Sequence, residues 1–200
     1  MKPGNAVTTE IDAGEPLVAY PGKSCGGCAA CCSTVPVKEI GLGAFTSCPH
    51  LRTLPDIRTG CSIYPMRPRS CHQWSCSWLI SDLAPEFRPD RLGVVVDPIP
   101  DLVRISGKDV QAAQLWVVPR HEDDWRTDDR IKDLIFSIFK AGFAVLWRIR
   151  GEDGRQRARV MILRDDKWMV SEPEYSVKEM AGFADDGERL RHAQQLARRR

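Results

Sequence analysis

Cys25-Gly-Gly-Cys28-Ala-Ala-Cys31-Cys32 is the stretch on which the reading of this chain turns. Cysteines two residues apart in a tight turn can aim both sulfurs at one ion, and Gly26-Gly27 permits the backbone conformations that such a knuckle needs. The adjacent side chains of Cys31 and Cys32 diverge, so this pair hints at two ions or at one bridging thiolate. Four more cysteines follow at Cys48, Cys61, Cys71 and Cys76, and none lies beyond them.

The whole chain has 200 residues, is 42% hydrophobic and carries a formal net charge of +2. That describes one ordinary globular domain with room for a small appended module. Near-neutral charge gives no global attraction to nucleic acid or membrane, so either partner would need a local patch. The N-terminal sequence has acidic residues, prolines and glycines where a secretory signal needs a basic start and an apolar run. No stretch approaches the ~20 apolar residues of a membrane-spanning helix. A cytoplasmic protein with no membrane partner is therefore expected. In an exported chain an even number of cysteines would suggest disulfides; in a reducing cytosol thiols stay free unless a metal holds them.

Cysteine usage divides the chain. Residues 1–19 read as a flexible tail, 20–90 as a cysteine-cluster module, and 91–200 as an α+β segment with a C-terminal helix. The module is loop-like, because Pro21, Gly22, Pro36, Gly41, Gly43, Pro49, Pro55, Gly60, Pro65 and Pro68 interrupt regular structure. It is too small and too poor in large apolar residues for a core alone to order it, so metal–thiolate staples are expected.

Beyond it, Gly93-Val94-Val95-Val96-Asp97 and Leu102-Val103-Arg104-Ile105 read as strands and suggest a hairpin with each other. Asp109 to Val118 is ambiguous between helix and strand. Thr127-Asp128-Asp129 can cap a helix carrying Ile131, Leu134, Ile135, Ile138 and Phe139, with Gly142 ending it. Phe143 to Arg150 and Arg155 to Leu163 form a hairpin pattern around Gly151-Glu-Asp-Gly154, and Trp168-Met169-Val170 is a third strand. Residues 176–200 are rich in helix formers. The fold class is thus α+β: a loop-rich, metal-stapled cysteine module packed with a small antiparallel sheet and two helices.

Taken together, Cys-x-x-Cys-x-x-Cys-Cys, then Cys48-Pro49-His50-Leu51, then Cys61-Ser62-Ile63-Tyr64 followed by Arg67-Pro68 and Cys71 resemble the YkgJ-type cysteine cluster family. That family is described as a zinc- or iron-chelating domain. The resemblance spans about Tyr20 to Cys76; His72 stands where the family often carries arginine, and the interval from Cys32 to Cys48 is short. It implies a metal-binding protein whose ligands are Cys25, Cys28, Cys31, Cys32, Cys48, Cys61, Cys71 and Cys76.

Eight thiolates can build two closed, structural four-cysteine zinc sites. Iron, including an iron–sulfur cluster, is the rival: Cys25, Cys28 and Cys31 share a ferredoxin-like spacing but lack its following Cys-Pro. Four thiolates around a divalent ion leave an excess of about two negative charges, which Lys23, Arg52, Arg58, Arg67 and Arg69 are placed to offset. Tyr64 and Trp74 can shield sulfur, with Pro65 and Pro68 fixing the turn, although simple packing explains all four as well. His50 and His72 stand beside cysteines and could replace a thiolate, which eight available sulfurs make unnecessary, whereas His121 and His192 read as surface residues.

Two other function classes compete with simple chelation. One is an iron–sulfur or zinc-dependent enzyme that modifies or reduces another protein, by analogy with the similar cluster of flagellin lysine N-methylases; no S-adenosylmethionine motif accompanies it. The other is a zinc-ordered module binding nucleic acid or a protein through Arg155, Arg157 and Arg159 with Arg148 and Arg150. Nearby Glu152, Asp153, Asp165 and Asp166 favour a solvated strand face over a nucleic-acid stripe.

Overall fold

A computed structural model of the chain describes residues 19–53, 59–121, 127–164 and 167–171. The sequence-predicted tail, apart from residue 19, and the predicted helix over 176–200 lie outside these residues.

Prolines and glycines cut the cysteine-bearing segment into short pieces. Single 3-10 turns form at Ala30–Ser33, Lys38–Ile40, Tyr64–Met66 and Pro85–Phe87. A small antiparallel pair, β1 (Leu51–Thr53) and β2 (Thr59–Cys61), sets Leu51 opposite Cys61. Three one-turn helices follow, α1 (Arg69–Gln73), α2 (Ser77–Ile80) and α3 (Pro89–Leu92). Gly93, in the left-handed conformation at φ 77°, ends α3. A Cβ added there would meet His121 Cβ at 2.6 Å, so glycine is what admits the imidazole. His121 is accordingly half-buried rather than a surface residue.

The rest is an α+β arrangement around a mixed sheet. Its strands are β3 (Val94–Val96), β4 (Asp101–Ile105), β5 (Lys108–Val117), β6 (Ala144–Arg150), β7 (Gln156–Arg164) and β8 (Lys167–Ser171). The order is β3-β5-β6-β7-β8, with β4 also paired to β5. Strand β5 pairs antiparallel with β4 through its first half and with β3 through its second, while β6 lies parallel to it. Helix α4 (Asp129–Lys140) sits in the β5–β6 connection, and the Asp128 carboxylate accepts from Arg130 N–H at its start.

Three sequence expectations change. Asp109 to Val118 is strand, because Val110, Leu115, Trp116 and Val117 fit a pleated, buried surface. The first hairpin is β4–β5, not β3–β4. Ser106 and Gly107 both have positive φ, 50° and 73°, the conformation of a two-residue hairpin turn, whereas Pro98 and Pro100 separate β3 from β4. The β6–β7 register pairs Arg159 with Trp147 and Arg157 with Ile149, but Ala158 with Arg148. Arg157 and Arg159 therefore face away from Arg148 and Arg150, and no common arginine stripe forms across the two strands.

Alternation assigns each face of the sheet a task. On one face Val94, Leu115, Val117, Val145 and Trp147 pack against Ile131, Leu134 and Ile135 of α4. On the other, Val95, Trp116 and Val118 pack against Ala30 and Phe45 of the cysteine segment. Val103, Ala112, Ala144, Leu146 and Val160 continue the second face.

A buried polar group lies on that same face. The Arg148 side chain, 3% exposed, donates to Asp101 Oδ2 at 2.8 Å and to Gln114 Oε1 at 3.0 Å. Gln114 Nε2 in turn donates to the Ile99 carbonyl at 3.1 Å. The guanidinium also stands 5.4 Å from the Trp116 ring centroid. Removing one partner of such a pair strands a charge where water cannot reach it. Asp101→Ala is expected to cost about 3–5 kcal/mol in chemical denaturation. The double variant Asp101→Leu with Arg148→Met should recover most of that loss; a double variant as unstable as the single one would contradict the ion-pair account.

Candidate metal centre

The eight cysteines reach one region because the loops carrying them are tied to one another and to the sheet. Within the first knuckle, Cys28 N–H donates to the Cys25 carbonyl at 2.8 Å, and Cys32 N–H to the Ala29 carbonyl at 3.0 Å. Thr34, fully buried, donates its hydroxyl to the Ala30 carbonyl at 2.7 Å and accepts Phe45 N–H at its own carbonyl. Cys48 N–H then donates to the Cys32 carbonyl at 2.8 Å, and Leu51 N–H to the Cys48 carbonyl. Since Leu51 opposes Cys61, this chain of contacts brings Cys32, Cys48 and Cys61 together. Helix α1, which carries Cys71, is held by Glu39, whose carboxylate accepts from the Arg69 and Ser70 N–H groups and the Ser70 hydroxyl.

The anchor of this assembly is Phe45. It adopts φ 58°, a conformation that a bulky side chain seldom takes, and it is buried with its ring centroid 6.0 Å from that of Trp116. Ala30, Phe45, Val95, Trp116 and Val118 form one cluster, against which Cys28, Trp74 and Cys76 also pack. Trp74 Nε1 donates to Asp97 Oδ1 at 3.1 Å, which fixes the loop before Cys76 to the end of β3.

None of the cysteines is in a disulfide. Among the described residues no three or more His, Cys, Asp or Glu side chains are already drawn close enough to hold an ion. The thiols nevertheless share electrostatic surroundings. Burial pushes Cys28 and Cys76 each up to about 11. Cys31 is raised by its hydrogen bond with Cys32, by burial, and by the nearby charges of Cys25 and Cys76. Cys32 is lowered by the same bond and by the Arg67 guanidinium, against the opposing effect of burial. Cys71 is raised by burial and by Cys32, Cys48 and Cys61, with Arg67 opposing.

The groups expected to surround the thiolates behave unequally. Arg67 does stand beside Cys32 and Cys71, and its guanidinium stacks 3.9 Å from the Tyr64 ring centroid. The Tyr64 hydroxyl is hydrogen-bonded to Cys25, but Tyr64 is itself exposed. Lys23 instead donates to the carbonyls of Trp78 and Leu83 and lies over the Trp78 ring. Arg52 donates to the carbonyls of Pro49 and Leu51. Arg69 lies beside Glu39, and Arg58 is outside the described residues. His72 is exposed on α1, while His50 is half-buried and its carbonyl accepts Ser62 N–H.

Two neighbours were not legible in the sequence. Cys28 is hydrogen-bonded to Asp90, whose carboxyl, despite burial, is held below its usual range by Arg88 and by this contact. Trp116 lies beyond the cysteine segment, and its buried Nε1 has no hydrogen-bond partner among the described residues. The Nε of Arg67 is likewise buried without one.

Compared with protein-family models, curated proteins and solved structures, the chain matches none.

Phe45→Ala removes the ring that seats the loops on the sheet. It should cost about 3–5 kcal/mol in a denaturant titration, with faster proteolysis between residues 34 and 48 under native conditions. An unchanged midpoint would mean that the segment is held independently of the sheet.

Proposed function

We propose that this chain is a metal-binding protein that chelates zinc or iron through Cys25, Cys28, Cys31, Cys32, Cys48, Cys61, Cys71 and Cys76. The observation that carries the reading is that eight free thiols sit on short loops tied to one another by hydrogen bonds, with Cys28 and Cys76 packed against one face of the sheet. Neighbouring thiols that lose their protons need a cation to balance the charge, and soft sulfur donors favour zinc, iron or iron–sulfur centres over magnesium or calcium. The resemblance of Cys25 to Cys76 to YkgJ-type clusters supports the same choice.

Thiolate ligation would also supply what the segment lacks. Its elements are helices of four or five residues and strands of three, each too short to be stable alone. A structural zinc site contributes about 10 kcal/mol or more to folding, so chelation would order these loops as well as bind the ion. The requirement for reduced thiols favours a cytoplasmic setting; among the described residues no helix is long and apolar enough to cross a membrane.

Protein purified without oxygen should retain zinc or iron through desalting, measured by elemental analysis together with an absorption spectrum. Zinc gives a colourless protein, and iron a visible sulfur-to-iron charge-transfer band. Protein that carries neither metal and takes up neither on reconstitution would overturn the reading.

A further inference from the structure

We propose that the acidic segment 172–188 of this chain, which lies outside the described residues, docks over the β7–β8 half of the sheet face that carries α4, with Glu172 and Glu174 meeting Arg159 and Arg157 across the strands. This face is the reverse of the one that seats the cysteine segment.

Strand register defines the surface, because residues directly opposite one another in neighbouring strands share a face. Val145 and Trp147, which pack under α4, stand opposite Met161 and Arg159. Ile149 stands opposite Arg157, and Met161 opposite Val170. Arg157, Arg159, Met161 and Val170 therefore continue the face whose β3, β5 and β6 residues pack against Ile131, Leu134 and Ile135 of α4. Past the helix that face is open to solvent. Arg157 and Arg159 are exposed, Met161 is only half-buried, and Val170 is 58% exposed. Arg157 also donates to Asp153 at 2.9 Å, an ion pair exposed enough to be shared with a second carboxylate.

The occupant is identified by where β8 ends and by charge. Ser171, its last residue, stands opposite Val160. Carrying that register forward sets position 172 opposite Arg159 and position 174 opposite Arg157, both on the face of Val170, and glutamate stands at each. Opposite charges directly across antiparallel strands attract. Pro173 between them suits the outer strand of a sheet, where a missing N–H need not be replaced. Farther along, Glu179, Asp185, Asp186 and Glu188 outweigh Lys178, and Tyr175, Val177, Met180 and Phe183 supply apolar groups to cover Met161 and Val170. Because the segment is tethered to β8, its effective concentration at this face is roughly millimolar, and modest contacts suffice to hold it.

Amide hydrogen exchange on the full chain, purified without oxygen, reads the docking. At low salt the amides of residues 174–183 should exchange more slowly than in an unfolded chain, and Arg157→Glu with Arg159→Glu should speed them roughly fivefold. Adding Glu172→Arg with Glu174→Arg restores opposite charges and should return the protection. The amides of β5 and β6 show whether the core is intact. Salt gives a second readout with no substitution: the same segment should exchange faster at about 1 M salt while β5 and β6 do not change. Protection independent of chain concentration supports the intramolecular contact. Protection that grows with concentration would assign the face to a second copy and overturn the proposal. So would unprotected amides in the parent chain, exchange indifferent to charge reversal and salt, or no recovery in the fourfold variant.

Discussion

The contact of Ala30 and Phe45 with Val95, Trp116 and Val118 is the interaction that seats the cysteine segment on the sheet. Loops of this length have almost no core of their own, so their conformation has to be imposed from outside. The sheet does this by presenting one apolar face to α4 and the other to the cysteine segment. Burial of Phe45 holds a backbone conformation that its side chain would otherwise oppose, and that conformation directs the chain back toward Cys48.

Behind that seat lies the ion pair of Arg148 and Asp101. Trp116 joins the two regions, with its ring in the cluster beneath the cysteines and the Arg148 guanidinium 5.4 Å from its centroid. A buried, hydrogen-bonded arginine adds little net stability compared with an apolar replacement, but it tolerates few alternative arrangements of its neighbours. Gln114, Asp101 and Arg148 thus restrict how β4, β5 and β6 can sit beneath the cluster.

The α+β class, helix α4 with its Asp128 cap and the β6–β7 hairpin were readable because each has a strong local pattern. Apolar residues at helical spacing, a capping carboxylate and a glycine-bounded loop act within a few residues. What could not be read was non-local. Strand β4 pairs with β5 because of two positive-φ residues, and the second of them, Gly107, is the sole glycine cue. The opposite orientations of Arg148 and Arg157 depend on a register that neither strand alone reveals. The cysteines themselves were conspicuous, and their grouping was not, since it depends on the hydrogen bond from Cys48 to Cys32 and on the packing of Cys28 beside Cys76. Trp116 lies forty residues beyond the last cysteine, with no local pattern marking it as a neighbour of the cluster.

Charge links these features to function. Thiols raised by burial, such as Cys28 and Cys76, are neutral at ordinary pH, so under the proposed chelation a cation would have to displace their protons and its uptake would be coupled to ordering of the loops. The proposed chelation has sulfur alone as ligand. X-ray absorption at the edge of whichever metal the oxygen-free protein retains reads this out. The expected result is a first shell of about four sulfur atoms at ~2.3 Å, with no nitrogen or oxygen contribution. A shell dominated by nitrogen or oxygen would contradict it.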